Sequence, residues 1–399
     1  MSKLFLASGL TAALVSAQPV WAEVYFESSG KISAEARFFT EDAQFSGQQE
    51  NTNVSFTVEP EFYWEFGNGD NSITFAPYLR IDENDDERTH GDIRELSWLH
   101  LSDDWELRAG LRKVFWGVTE FQHLADVINQ TDAVDNFDGE DKLGQPMINL
   151  SLVKDWGIVD LFVLPGFRER TFAGQAGRFR AGLLVNTDAA EYESDDEERH
   201  IDTAIRWSHT LGDFDLGAYW FHGTNRDPLL VARNINGTTM LVPRYLQMDQ
   251  LGVDVQATLG DWLWKGESIW RSTSAEDYVA AQAGFEYTLY GILDSSADLG
   301  LLAEYGWDER GKQASATGQN DLYLGTRYVL NDEASTEMLM GVSYDMDYDS
   351  KSLLVEASRR YGENWILRVD ASMFSMASED QTSAFDRDDY VQLTAEMYF

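Results

Sequence analysis

Two stretches of the chain concentrate the charged side chains that could bind or select a small solute. The first, at 115–146, is acidic, and its carboxylates include Asp126, Asp132, Asp135 and Asp138. The second, at 165–180, is basic, and its guanidinium groups are Arg168, Arg170, Arg178 and Arg180. If the two stretches face each other across water, they set up a transverse electric field that orients dipolar solutes and passes small ions. The alternative is that these arginines bind phosphate groups or pair with nearby acids.

The acidic stretch also carries the signals of a short helix. Thr119 and Gln122 have the spacing of a capping box. The predicted helix has about two to three turns. Its apolar face contains Phe121, Leu124, Ala125 and Ile128. A connection with its own amphipathic helix is predicted to fold into the interior and narrow it, with the helix packed on an inner wall. The alternative is an outer cap that shields a rim.

Catalytic and metal-binding patterns are weak in this sequence. The six histidines are scattered, none lies in an HExxH motif, and there is no cysteine. An EF-hand frame with Asp138 and Gly139 at its fifth and sixth positions would place Val134 first, where a carboxylate is needed. We therefore predict no enzyme activity, no resident cofactor and no dedicated metal site. Adventitious Ca²⁺ or Mg²⁺ on the acidic segments 82–87 and 195–198 is the remaining option.

The elements that would position these groups are β-strands with one apolar and one polar face. In 53–66, apolar side chains recur at every second residue: Val54, Phe56, Val58, Pro60, Phe62, Trp64 and Phe66. A turn at 67–70 contains Asn68-Gly69, and the alternation resumes from Ile73 to Ile81. Asn-Gly between two alternating segments is a strong hairpin signal. Because this period of two recurs to the end of the chain, the fold is predicted to be all-β.

Short and long connections alternate along the chain, which is typical of a transmembrane antiparallel β-barrel. The alternating segments number 19, but a closed antiparallel barrel needs an even number of strands. If the weakest candidate, Gly177–Val185, belongs to the preceding long loop, the count is 18, with 16 as the alternative. The long third and fourth outer loops then contain the acidic and basic stretches. A soluble sandwich or β-helix is disfavoured because it would rarely need so many strands in one domain.

Charged residues on the polar strand faces are predicted to line the lumen, because one lipid-facing charge near the membrane midplane costs about 2–4 kcal/mol. The lumen-facing candidates are Arg80, Arg108, Arg112, Lys265, Arg271 and Arg327. The acids among which they recur are Glu59, Glu61, Glu267 and Glu304. Pairing inside the barrel is the common outcome, and a ladder of sites for a substrate is the rarer one. Barrels of this size leave a water-filled lumen unless a loop fills it.

The beginning of the chain and its charge indicate where the protein resides. Residues 1–22 have the features of a cleavable signal peptide: Lys3, an apolar run at 4–15, and Val20-Trp21-Ala22 at the cleavage site. We expect one mature domain at 23–399. No later segment approaches 18 uninterrupted apolar residues, which argues against helical spans. The formal net charge of −39 disfavours nucleic acid as a partner.

The last stretch, 389–399 (DYVQLTAEMYF), alternates in the same way and ends on an aromatic residue. It resembles the C-terminal strand of Gram-negative outer-membrane β-barrels. Four phrases resemble those of a porin-like family of proteobacterial outer membranes: PGFRERTF (165–172), GFEYTLYGI (284–292), DLGLLAEY (298–305) and EASRRYG (356–362). The resemblance implies residence in the outer membrane beside lipid and lipopolysaccharide, with Phe399 as part of the signal for the barrel-assembly machinery. It also implies a homotrimer as one assembly. The chain lacks the PEFGG phrase that general porins carry in their constriction loop.

The function that we predict is passive diffusion of small hydrophilic solutes through an outer-membrane channel, with a weak preference for cations because the loops are acidic. Two alternatives stay open. One is a substrate-specific channel with an arginine-lined site for an anion or carboxylate. The other is a structural barrel whose lumen is plugged.

Overall fold

The computed structural model describes residues 24–314 and 318–399, and most of the elements in it are strands. In chain order the strands are β1 (Tyr25–Phe39), β2 (Thr52–Phe66), β3 (Asn71–Asp82), β4 (His90–Leu101), β5 (Trp105–Arg112), β6 (Gln145–Lys154), β7 (Gly157–Pro165), β8 (Glu191–Tyr192), β9 (Ile201–Leu211), β10 (Phe214–Thr224), β11 (Leu229–Ile235), β12 (Thr238–Tyr245), β13 (Gln247–Leu259), β14 (Trp262–Thr273), β15 (Asp277–Leu289), β16 (Asp298–Asp308), β17 (Asn320–Val329), β18 (Glu337–Asp345), β19 (Lys351–Tyr361), β20 (Trp365–Ser375) and β21 (Tyr390–Tyr398). The helices in the described residues are short 3₁₀ turns: Thr187–Ala189, Glu197–Arg199, Ile292–Asp294, Gly311–Gln313 and Gln381–Phe385. None of the described helices is long and apolar enough to cross a membrane. The predicted signal peptide, 1–22, lies outside the described residues.

Eighteen of these strands form a closed antiparallel barrel. The ring closes where β1 pairs with β21, from Lys31 opposite Tyr398 to Phe39 opposite Tyr390. Beyond the last strand, the backbone of Phe399 exchanges hydrogen bonds of 3.0 and 3.1 Å with Gly30. The predicted all-β antiparallel barrel of 18 strands is therefore confirmed.

The barrel wall is apolar outside and polar inside, as the alternation of two requires. Phe56 on β2 lies opposite Ile81 on β3, and these outward side chains are 52% and 55% exposed. The inward neighbours Ser55 and Thr57 are buried. A soluble sheet would bury its apolar face, whereas this barrel exposes its apolar face on the outside.

Short turns join the strands at one end of the barrel, here called the turn end, and the longer loops lie at the other, the loop end. The hairpin predicted at 67–70 joins β2 to β3, with Asn68 at φ +61° and Gly69 at φ +92°, a conformation that glycine and asparagine adopt at low cost. The outer connections are numbered in chain order. Four of them matter most here: loop 1 (40–51), loop 3 (113–144), loop 4 (166–200) and loop 9 (376–389).

Residues 177–185 lie in loop 4 without a strand, as predicted, and Val185 makes a single bridge to Leu241. That bridge adjoins a small outer sheet of β8, β11 and β12, which is not predicted above. The turn between β11 and β12 is Asn236-Gly237, with φ of +52° and +88°. The same Asn-Gly signal used for the first hairpin would have predicted this one.

Aromatic side chains form two bands on the outer wall. Near the turn end, Trp262 stacks on Trp264 with ring centres 5.5 Å apart, and Tyr287 lies 4.6 Å from Trp262. Near the loop end, Trp270 and Trp307 are exposed on the same side of the barrel. Such bands mark the two interfaces of a membrane.

Candidate functional site

Loop 3 lies inside the barrel, and its first half is held on the wall by Glu267 of β14. The Glu267 carboxylate accepts hydrogen bonds from the backbone amides of Val118 (2.7 Å), Thr119 (3.0 Å) and Ala125 (2.9 Å). It also accepts the Thr119 hydroxyl at 2.7 Å. Hydrogen bonds to an ionised acceptor are about twice as strong as neutral ones. One wall carboxylate therefore binds both ends of the segment 118–125.

A second wall carboxylate, Glu304 of β16, binds the middle of the same segment. It accepts hydrogen bonds from the backbone amides of Glu120 (2.8 Å) and Phe121 (3.2 Å) and from the side chain of Gln282 (2.9 Å). The Phe121 ring stacks on Tyr323 of β17 with centres 5.0 Å apart. Loop 3 thus reaches from its own strands β5 and β6 to the far wall.

The helix predicted after Thr119 is absent from the described loop, and that prediction is wrong. The Thr119 hydroxyl does contact the carbonyl of Gln122, but no helical turn follows. The physical reason is competition at Ala125, whose amide would bond within a helix that started at Thr119 but donates to Glu267 instead. Glu267 lies more than 140 residues away in sequence, so a local capping signal could not anticipate it.

The apolar residues of loop 3 pack as a small core within the lumen. Trp116 contacts Tyr219 of β10 and Phe162 of β7, with ring centres 4.9 and 5.6 Å apart. Ala125 and Ile128 are completely buried in this cluster. The loop is therefore anchored by hydrophobic burial as well as by carboxylates.

The second half of loop 3 is held by arginines on β3 and β4. Arg94 lies 2.7 Å from Asp132, and Arg80 lies 2.6 Å from Asp135. Asp132 also accepts hydrogen bonds from His90 (3.1 Å) and from Thr171 of loop 4 (2.8 Å). Burial acts to raise the pKa of Asp132, but the His90 hydrogen bond and the Arg94 charge outweigh it and hold that pKa below its usual range.

The four acids predicted to constrict a pore therefore divide into two kinds. Asp132 and Asp135 are buried in ion pairs, and the side chain of Asp126, which is 1% exposed, lies 3.1 Å from Lys142. Asp138 is exposed to the lumen, and so is its neighbour Glu140, which lies 2.8 Å from His123. Of these four aspartates, only Asp138 is exposed to the part of the lumen that loop 3 leaves open.

The loop 4 arginines contact other loops and do not face the acids of loop 3 across water. Arg178 and Asp388 of loop 9 form an ion pair of 2.8 Å in which both side chains are 0% exposed. Arg178 also donates to the carbonyl oxygens of Glu41 and Glu50, at 3.2 Å each. Arg180 donates to backbone carbonyls, including that of Ser46. These two arginines join loops 1, 4 and 9 into one lid.

The other two predicted arginines of loop 4 are also engaged. Arg168 lies 2.9 Å from Asp92 and donates to the Gly144 carbonyl at 2.9 Å. Arg170 lies 3.4 Å from Asp227 of the loop between β10 and β13. The opposed rows of acids and arginines expected from the sequence are replaced by separate ion pairs with Asp388, Asp92 and Asp227, because a guanidinium taken out of water requires a nearby acceptor.

The predicted lumen-facing cations lie on inward positions of their strands. Arg80 binds loop 3, as described above, and both Lys265 (3.1 Å) and Arg327 (2.6 Å) bind Glu120 of the same loop. Arg108 lies 2.6 Å from Glu106, and Arg112 donates at 3.4 Å to Asn149. Arg271 lies 3.0 Å from Asp227. Pairing inside the barrel is the outcome for most of this group.

Two acids that the sequence analysis did not single out complete the site. Glu356 on β19 and Asp370 on β20 occupy inward positions that are directly opposite in the sheet, and Glu356 is exposed. Loop 3 reaches this part of the wall, because the ring of Phe137, beside Asp138, lies 5.7 Å from that of Phe374 on β20. We call the four carboxylates of Glu356, Asp370, Asp138 and Glu140 the acidic gap. The period of two places Glu356 and Asp370 on the polar face, so strand parity would have identified them.

In residues 24–314 and 318–399 no group of three or more Asp, Glu, His or Cys side chains has a metal-binding arrangement. A closed 18-stranded barrel with an apolar exterior and a polar interior is the architecture of a transmembrane β-barrel.

No family model matches the chain, and no curated protein matches it. Among solved structures, OmpT, an outer membrane protein of Vibrio cholerae in its trimer form, is similar with 9% identity and a TM-score of 0.46, over 94% of this chain and 99% of OmpT. A mutant of the Rh. blastica porin is similar with 11% identity and a TM-score of 0.46, over 94% of this chain and 100% of the porin.

Proposed function

We propose that the chain is an outer-membrane channel for passive diffusion of small hydrophilic solutes, with a weak preference for cations. The observation that carries this proposal is the position of loop 3, which is bound to the inner wall and leaves the acidic gap at its exposed edge. Mutually repelling carboxylates beside water raise the local concentration of cations and lower that of anions.

The outer wall supports placement in a membrane. Its apolar exterior and two aromatic bands match the hydrocarbon and interface zones of a bilayer. The pairing of Phe399 with Gly30 puts the terminal residue at the seam of the barrel, at the turn end, which we place in the periplasm. Recognition of Phe399 by the barrel-assembly machinery and assembly as a homotrimer are part of the same proposal.

The alternative of an arginine-lined anion site has less support. Arg178 is fully buried against Asp388, and Arg168 and Arg170 have carboxylate partners. A plugged structural barrel is favoured by one observation: loop 3 contacts inward residues on strands all around the lumen, from β3 to β17. Conduction separates a plugged barrel from a channel.

The test is single-channel conductance of the purified protein in planar bilayers, compared with a variant lacking 119–141. The proposal expects discrete conductance steps from the wild type and steps several-fold larger from the deletion variant, because the loop occupies part of the lumen. A folded wild type that never conducts, while the deletion variant does, would identify a plugged barrel.

A further inference from the structure

A groove of about 460 Å³ lies on the outer surface of the barrel, at the loop end of strands β17 to β20. We call it the outer groove. Its floor is apolar and consists of Leu322, Leu324, Val342, Leu353 and Met373. Leu324, Val342 and Met373 are 46%, 44% and 49% exposed. The floor is therefore open to whatever surrounds the barrel, and it is too apolar to be left to water.

The loop-end margin of the outer groove carries a cation without an acidic partner. Lys351, the first residue of β19, lines the groove, and its ammonium lies 5.6 Å from the centre of the Tyr344 ring. Within the described residues no carboxylate lies within 4 Å of it, and nearby Asp349 accepts a hydrogen bond from Tyr344 instead. Lys312 of loop 7 (309–319) likewise has no carboxylate within 4 Å among the residues that the structure describes, and it lies 4.4 Å over Tyr348 in the neighbouring loop.

Two cations without a carboxylate partner therefore lie at this margin, in a chain of formal net charge −39. Elsewhere most lysines and arginines are close to carboxylates, for example Arg359 at the turn end of the same strand, 3.3 Å from Asp332. A free lysine above an apolar groove matches an amphiphile with an anionic head and a hydrocarbon tail. Each such lysine near a membrane surface is worth about fivefold in affinity for an anionic lipid.

We propose that the outer groove is a binding site for a phosphate-bearing, acylated lipid of the outer leaflet, such as lipopolysaccharide. One acyl chain lies over the floor formed by Leu324, Val342 and Met373, and a phosphate lies on Lys351. A second copy of the chain is the alternative occupant, and the multimer measurement below distinguishes it from a lipid. The site rests on the proposed membrane placement but not on conduction.

The test is native mass spectrometry of the purified, folded barrel titrated with two ligands: lipid A carrying its phosphates, and the same lipid A after dephosphorylation. The variants are Lys351→Gln, which removes the charge, and Met373→Trp, which fills the groove. Arg359→Gln is the matched control, since it removes an exposed cation from the same face of the same strand at the opposite end. Folding is checked for every variant by the shift in gel mobility on heating, and Leu324→Trp replaces Met373→Trp if the latter does not fold.

The wild type is expected to bind phosphorylated lipid A at least fivefold more tightly than the dephosphorylated form. Lys351→Gln should lose that preference, Met373→Trp should weaken binding of both lipids, and Arg359→Gln should match the wild type. Equal binding of the two lipids by the wild type, or an unchanged preference in Lys351→Gln, would overturn the proposal. So would a Met373→Trp variant that binds lipid normally but dissociates from a stable multimer, because the groove would then be covered by a second copy. Conductance of the same samples reports on the channel separately.

Discussion

The carboxylate of Glu267, on strand β14, lies 2.7 Å from the hydroxyl of Thr119 in loop 3, although 148 residues separate them in the chain. With the amides of Val118, Thr119 and Ala125 also donating to it, Glu267 is the wall residue on which the folded-in position of the loop most depends.

Replacing Glu267 with Ala should release the first half of loop 3. Each buried amide left without an acceptor costs about 1–3 kcal/mol, so the loop would leave the wall for part of the time. We expect a higher and noisier single-channel conductance and faster hydrogen exchange at 118–125. Glu106→Ala is the control, because Glu106 is another inward carboxylate and lies 2.6 Å from Arg108. Unchanged exchange protection in Glu267→Ala would show that the hydrophobic contacts of the loop suffice.

Removing Arg178 should destabilise the lid formed by loops 1, 4 and 9. Loss of one partner from a buried ion pair costs about 3–5 kcal/mol, because the other charge stays buried. We expect Arg178→Ala and Asp388→Ala each to lower the free energy of unfolding by that amount, and the double variant to lose less than the sum. Denaturant titration of the four proteins in a double-mutant cycle measures this. Additive losses would mean that the two side chains do not interact.

The pH dependence of loop 3 should follow Asp141. Burial raises the pKa of Asp141 to about 7, and the charges of Asp135 and Asp138 act in the same direction, against those of Arg94 and Arg80. The folded chain then holds a proton that the unfolded chain releases near its ordinary value of 3.8. Stability contributed by the protonated group is therefore present at low pH, falls between about pH 4 and pH 7, and is constant above.

We accordingly expect the preference for cations to rise with a midpoint near pH 7 as Asp141 ionises, and this midpoint to vanish in Asp141→Asn. His123 provides the control. Burial acts to lower the pKa of His123, but the hydrogen bond to Glu140 outweighs it and raises that pKa. Because His123 loses positive charge as pH rises, His123→Gln must be measured beside Asp141→Asn. A midpoint that disappears only in His123→Gln would assign the pH response to the histidine.

The number of strands and the alternation of turns could be predicted because each strand carries its own signal. A membrane outside and water inside impose the period of two on every strand. The outward positions of Ile32 and Met397, which pair at the seam, can therefore each be predicted from their own strand alone. The contents of the lumen carry no such local signal. Arg178 meets Asp388 from 210 residues away, and Glu304 reaches the amide of Glu120 from 184.

The sequence therefore predicts correctly that loop 3 folds into the barrel, but it predicts the wrong backbone structure within the loop. Thr119 and Gln122 have the spacing of a helix start, yet the amides beside them bind distant carboxylates. Glu356 and Asp370 could have been predicted to line the lumen, because the alternation of their strands puts both on the inner face. What parity could not supply was the position of Asp138 and Glu140 near them.

The central claim, that the acidic gap selects cations, is tested most directly by the reversal potential across a bilayer with a KCl gradient. We predict a potential with the sign of cation selectivity for the wild type and a shift toward zero for the double variant Glu140→Gln, Glu356→Gln. Glu333→Gln, which removes one carboxylate charge in an exposed turn, should leave the potential unchanged. An anion-selective wild type, or a double variant with the wild-type potential, would contradict the claim.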